Sequence, residues 1–261
     1  MENVRFPAVA GLFYPQAARA LKAAVAQCLA AAHTPGPVPK AIIAPHAGYI
    51  YSGPIAASVY ARVAGARNTI RRVVLLGPAH RVGFRGLALC SAQYFETPLG
   101  RVVVDAEAIA AIRTLPQVSV SDAAHEREHS LEVHLPFLQE VLDNFSLVPL
   151  VVGDARPAEV GEVLERLWGG PETLIVVSSD LSHYHDYATA QLLDRATSHA
   201  IEALDGESIS YHHACGRNPV AGLLYVARRK GLQAHTIDLR NSGDTAGERD
   251  SVVGYGAYVF E

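Results

Sequence analysis

The stretch Val73–His80 reads VVLLGPAH, and two others share its layout: AIIAPHAGY over Ala41–Tyr49, which reaches His46, and LIVVSSDLSH over Leu174–His183. In each, four apolar residues run without a polar interruption and end at a Pro, Gly or Ser. Such short, β-branched, continuously apolar runs are expected of strands buried on both faces, which is the condition of a central parallel sheet. A ligand crevice in an open parallel sheet lies beyond the carboxyl ends of its strands. His46, His80 and His183 are therefore expected as neighbours on one rim of an α/β fold.

The rest of the chain supplies the covering layers. Gln16–Ala32 reads as an amphipathic surface helix, stopped by the Pro/Gly cluster that begins at Thr34. Further helices are expected over Pro54–Val63, Asp105–Arg113 with Asp105 as N-cap, Glu128–Leu142 with a kink or restart at Pro136, Pro157–Trp168, Tyr187–Leu204 and Val220–Lys230. Gly86–Cys90, Arg101–Val104, Ser146–Val152 and Val252–Phe260 read as additional strands. With no internal repeat, linker or low-complexity stretch, residues 1–261 are expected to form a single α/β domain with a mostly parallel central sheet flanked by helices.

At 261 residues and 49% hydrophobic content the chain is long enough to bury a large core without covalent staples. A net charge of −4 with no Lys/Arg block argues against a nucleic-acid groove and for a small-molecule or peptide ligand. Cys28, Cys90 and Cys215 are odd in number and widely spaced, which indicates neither a disulfide framework nor a zinc knuckle. No signal peptide and no membrane-length apolar window is read, so a cytoplasmic location is expected.

Most of the 12 histidines must be ordinary. His46 lies between Pro45 and Ala47-Gly48, and His80 follows Gly77-Pro78-Ala79; small, rigid turns of this kind fix a side chain and admit a ligand closely. His183 is preceded by Asp180, which either orients the imidazole as a general base or merely caps a loop together with Ser182. His185 and His199 read as surface residues. His125-Glu126-Arg127-Glu128-His129 fits H-E-x-x-H, the helical zinc-peptidase signature. The polar Ser121-Asp122 lead places His125 at or before a helix start, where the required i,i+4 geometry fails. Nucleophile-elbow, Walker A and dinucleotide-binding motifs are absent.

Taken together, Arg5–Pro15 (RFPAVAGLFYP), Ala44–Pro54 (APHAGYIYSGP), Gly77–His80, Glu128–Pro136 (EHSLEVHLP), Val177–His183 (VSSDLSH), Cys215–Pro219 (CGRNP) and Asp250–Val253 resemble the Memo family, also labelled AmmeMemoRadiSam system protein B. That family shares a fold with the class III extradiol dioxygenases. The resemblance implies His46 and His80 as metal ligands and His183, with Asp180, as the acid/base. Animal Memo proteins take a third ligand from a cysteine near the carboxyl terminus, and the dioxygenases use Glu. No cysteine follows Cys215, and counting back from Asp250 puts the third position near Asp244-Thr245, where Asp244 either substitutes as the ligand or merely caps a turn. Two His and one carboxylate would make a non-haem Fe(II) triad, with copper or zinc as other candidate ions. His129 and His134 are expected to line the pocket or pair with Glu128 and Glu132, Arg217 to bind a substrate carboxylate or form a helix-start ion pair, and Tyr49 to wall the pocket or make a phenolic hydrogen bond. The implied activity is dioxygenase-like oxidation of a small aromatic or chelating substrate, the alternative being a peptide- or metabolite-binding scaffold. AMMECR-type and radical SAM proteins are the implied partners.

Overall fold

A computed structural model describes residues 2–32 and 34–261. Its strands are β1 (Val4–Arg5), β2 (Ala41–Ala44), β3 (Arg72–Pro78), β4 (Leu87–Leu89), β5 (Tyr94–Thr97), β6 (Gly100–Val104), β7 (Val118–Val120), β8 (Ser146–Val152), β9 (Thr173–Ser178), β10 (His183–His185), β11 (Ala234–Asn241) and β12 (Val252–Phe260). The helices are α1 (Ala18–Ala31), α2 (Tyr49–Val63), α3 (Ala106–Ile112), α4 (Asp122–Glu126), α5 (Leu135–Val141), α6 (Pro157–Leu167), α7 (Tyr187–Glu202) and α8 (Arg217–Lys230).

The strands form one mixed sheet in the order β1-β5-β6-β8-β3-β9-β2-β12-β10, with β11 paired to β12 and β4 to β7 and β8. Its centre, β6-β8-β3-β9-β2, is wholly parallel. Antiparallel β12 then covers the far side of β2.

Alternation along the central strands explains why β2, β3, β8 and β9 are apolar except at their ends. Ile42, Ala44, Val73, Leu75, Leu147 and Val176 face one core, which holds Leu21 and Val25 of α1 and Ile55 and Val59 of α2. Their neighbours Ala41, Ile43, Val74, Leu76, Val148 and Ile175 face a second core with Val160 and Leu164 of α6 and Leu223 and Leu224 of α8. Each fully buried aliphatic side chain contributes on the order of 1.5–3 kcal/mol, so a polar residue on either face would be costly. Both faces being covered fixes the strand exits on a common rim.

Two helices begin earlier than expected. Helix α2 starts at Tyr49, so Pro54 lies within it at the cost of one backbone hydrogen bond; α8 starts at Arg217, with Pro219 tolerated in its first turn. Asp105 is the N-cap of α3, accepting from the backbone N–H of Ala108 at 2.9 Å. The expected helix over Glu128–Leu142 is shorter, a 3-10 turn at Glu132–His134 followed by α5 with Pro136 at its start. Residues 128–131 stay out of the helix because the Glu128 carboxylate takes the backbone N–H groups of His129 and Ser130 for itself. No helix among the described residues is long and apolar enough to cross a membrane.

The segment before α1 is tied to the middle of the chain by Glu132, whose side chain is fully buried. It accepts from the Arg5 guanidinium, the backbone N–H groups of Ala8 and Val9 at 2.8 and 3.0 Å, and the Tyr14 hydroxyl. Arg5 also donates to the carbonyls of His125 and Glu128. Replacing Glu132 by Gln leaves the Arg5 charge buried without its partner, and a loss of about 3–5 kcal/mol is expected from denaturant titration.

His125 and His134 are buried imidazoles held neutral by desolvation, which lowers them to about 4 and about 3. As pH falls through about 6.5 the unfolded chain takes up protons that the folded chain refuses, so their contribution is complete above that pH and declines below it. Denaturation midpoints are expected to fall steadily from pH 7 to pH 4. His134→Gln should flatten the slope even though it lowers the plateau.

Candidate metal centre

Strands β2, β3 and β9 are parallel and end at Ala44, Pro78 and Ser178, so the residues just beyond them share one rim. There the His46 and His80 rings stand 5.1 Å apart, nearly edge to face at 74°. A third imidazole, His129, stacks on His80 at 4.6 Å and meets the His46 ring edge-on at 5.4 Å. The expected neighbourhood of His46 and His80 is therefore present.

Cys215 completes the group. It precedes α8, and the next residue, Gly216, lies so close to the end of β9 that a Cβ there would meet the Ser178 carbonyl oxygen at 2.5 Å. That close approach sets the Cys215 Sγ 3.4 Å from His46 Nε2 and 3.7 Å from the Asp180 carbonyl oxygen. One ligand atom each from His46, His80 and Cys215 lie within 4.8 Å of one another, a group able to hold a metal ion.

Hydrogen bonding fixes which ring nitrogens are available. The Ser178 hydroxyl donates to the Ser130 carbonyl at 2.6 Å, so towards His46 Nδ1, also at 2.6 Å, it accepts. His46 then carries its proton on Nδ1 and presents the Nε2 lone pair to Cys215. Burial, then the charges of His80 and other histidines, push His46 well below its usual range and keep it neutral. His80 donates from Nδ1 to Glu128 Oε1 at 2.8 Å, and its backbone N–H donates to Oε2 at 2.6 Å, which leaves His80 Nε2 free as well. Burial raises the Glu128 carboxyl, but the hydrogen bond and charge of His80 with the backbone donors outweigh it and hold the group at about 2. The Cys215 thiol is pushed up by burial and by the nearby Asp180 carboxylate.

His80, Glu128 and His129 form a second group with metal-ligand atoms within reach of each other. It suits a buttress better than a site. Glu128 Oε1 already accepts from His80 and from the backbone of His129 and Ser130, and two rings stacked at 24° do not aim their lone pairs at a common point. Phe13 packs on His129 at 4.7 Å and closes that side.

Other expected site residues take different places. Asp244 does not join His46 and His80: its carboxylate accepts from the Asn241 backbone and the Tyr187 hydroxyl, capping a 3-10 turn, the ordinary work of an Asx residue. Asp180 serves His46 instead of His183, accepting from the His46 backbone N–H at 2.7 Å with its other oxygen 3.9 Å from Nε2. His183 opens β10 and is half-buried; burial lowers it, a bond with the Leu181 backbone raises it, and the charge of His80 lowers it again. Tyr49 is a core residue whose hydroxyl donates to the Val133 carbonyl at 2.6 Å. His134 is buried against the Tyr60 hydroxyl at 2.9 Å and pairs with no carboxylate. Arg217 stacks on Tyr211 and donates to Asn218. His125 lies on α4 and bonds the Ala88 carbonyl, whereas His129 lies beyond that helix, so the H-E-x-x-H spacing never becomes two ligands on one helical face.

Fold and centre together define an α/β protein with a candidate histidine–cysteine metal group at the carboxyl edge of a mixed, mostly parallel sheet. Residues 5–259 match the family of Memo-like proteins, and the chain belongs to that family. It is 36% identical over 275 residues to a MEMO1 family protein of Methanothermobacter thermautotrophicus, covering 97% of this chain and 98% of that one. Identity is 37% over 282 residues with a MEMO1 family protein of Aeropyrum pernix (98% and 99% covered) and 35% over 269 residues with one of Aquifex aeolicus (99% of each). Among solved structures, an uncharacterized protein from Escherichia coli K12 superposes with a TM-score of 0.50 at 12% identity, covering 84% of this chain and 98% of that one. Such a likeness bears on the fold alone.

Glu128→Gln keeps the shape of the carboxylate but removes its charge from His80 Nδ1. Metal affinity measured by competition with a chromogenic chelator is expected to fall about 10–100-fold, with the far-ultraviolet spectrum unchanged.

Proposed function

We propose that the chain is a metal-dependent oxidoreductase of the dioxygenase-like kind, acting on a small aromatic or chelating substrate at His46, His80 and Cys215. The observation that carries this reading is the wiring of the two imidazoles: each has Nδ1 engaged, by Ser178 or Glu128, leaving Nε2 for an ion. A thiolate in place of a carboxylate makes the donor set softer than a two-His-one-carboxylate triad, which favours copper(I) alongside iron(II). Bound there, the ion would supply electron transfer and polarise an oxygen of the substrate.

The protein's own groups account for proton handling. Burial pushes the Asp180 carboxyl up to about 7, against the His46 backbone bond, the charge of His80 and the Ala47 backbone bond, so Asp180 sits poised to hold or release a proton beside His46 Nε2. His183, lowered by burial, is neutral and able to accept one. The Cys215 thiol keeps its proton until an ion displaces it, so loading releases a proton. Phe13 and His129 shield the centre on one side from water.

Elemental analysis of freshly isolated protein tests the reading. About one copper or iron per chain is expected in the native protein and in Asp244→Ala, with near-complete loss in His80→Ala and Cys215→Ser. Oxygen uptake with a panel of vicinal diphenols, absent in Cys215→Ser, is the expected activity. Metal retained in Cys215→Ser, or lost in Asp244→Ala, would put the third ligand elsewhere.

A further inference from the structure

A cavity of about 440 Å³ touches the centre at Cys215 and also has Pro78 and Ala79, just ahead of His80, in its lining; its volume is within the roughly 300–1,000 Å³ typical of small-molecule sites. Cys215 contributes to its lining, Val152 and Pro219 are apolar wall, and Phe84 and Tyr211 are its two aromatic residues.

Phe84 packs against the hydrophobic core, whereas Tyr211 is held in place by contacts that the core does not need. The loop bearing Phe84 is pinned to the end of β8 by backbone bonds from Asp154 to Phe84 (2.8 Å), Gly153 to Gly86 (2.9 Å) and Gly86 to Asp154 (2.9 Å). Gly153 permits this contact, since a Cβ there would meet the Phe84 carbonyl oxygen at 2.2 Å. Tyr211 is 57% exposed, yet the Arg217 guanidinium stacks 4.1 Å from its ring centroid and Asn218 Nδ2 donates to its hydroxyl at 2.9 Å. Asn218 is itself anchored to the Gly153 carbonyl at 2.8 Å and to Arg217 Nε at 3.1 Å. Immobilising an exposed tyrosine costs side-chain entropy with little apolar burial in return, which makes sense if its ring forms a wall for something else. Arg217 is not part of the lining, so it backs the ring from outside the cavity.

We infer that this cavity is an aromatic slot, taking a flat ring between Phe84 and Tyr211 with one oxygen directed to the centre at Cys215. Tyr211 is the specificity-determining residue: its hydroxyl, which accepts from Asn218, has its own hydrogen left to donate to an acceptor on the ligand. The inference builds on the proposed metal centre but concerns a different set of side chains.

The test is a fluorescence titration of chelator-treated, metal-free protein with a vicinal naphthalenediol, alongside calorimetry with the fully saturated decalin diol, which keeps the oxygens and loses the flat ring. Saturable binding of the naphthalenediol is expected, weakened about tenfold or more in Tyr211→Ala and in Phe84→Ala, unchanged in Phe6→Ala on a different cavity, and at least tenfold weaker for the decalin diol. No saturable binding to the native protein, equal binding of the two diols, or wild-type affinity in both slot variants would each overturn the slot. Because the titration uses metal-free protein, a centre that takes up no ion defeats the proposed function while leaving this outcome readable.

Discussion

The Glu128 carboxylate is the interaction on which the centre depends. Its two oxygens gather four donors, three backbone N–H groups and His80 Nδ1, and so bind the segment 128–130 to the exit of β3. The same segment reaches β9, because the Ser130 carbonyl accepts from Ser178, and Ser178 in turn accepts from His46. Ser130 also donates to the Pro78 carbonyl. Three residues off the sheet thus set the ring orientation of histidines that leave two different strands. Burying an ionised carboxylate is costly unless every lone pair is used, and here the donors are mostly fixed backbone groups that lose little freedom in the process.

A second buried carboxylate holds that segment in turn. Glu132, three residues on from His129, is bound by Arg5, Ala8, Val9 and Tyr14, so the beginning of the chain acts as a brace behind the centre. Phe13, on the same brace, packs on His129. The organisation is layered: a sheet covered on both faces fixes the strand exits, Glu128 orients the imidazoles at those exits, and Glu132 keeps Glu128 where it is. Little of the centre relies on flexible surface groups.

The central sheet was legible because burial on both faces demands uninterrupted apolar runs, and His46 and His80 were legible because each ends such a run in a rigid turn. β11 was harder to see than β12, its antiparallel partner. β11, AHTIDLRN, mixes charged and apolar residues because it pairs on one edge only, with β12. Cys215 is not legible as a candidate ligand because a single thiol ahead of a helix has no spacing to read. The usable signal was Cys215-Gly216, a small-residue approach of the same kind that singled out His46 and His80. At Asp244 the sequence leaves a ligand and a turn cap equally open, because chain spacing cannot tell one from the other. The shortened helix after Glu128 has the same origin: a side chain that binds local backbone groups overrides helical periodicity.

The chain closes its sheet late. β2, near the start, is flanked by β9 on one side and by β12, the last strand, on the other, and Arg5 meets Glu132 across 127 residues of sequence. During synthesis neither contact is available until its distant partner has left the ribosome, so the growing chain keeps β2 with an open apolar edge until β12 is made. A nascent chain of this topology is exposed to wrong edge pairing at β2 until β12 docks.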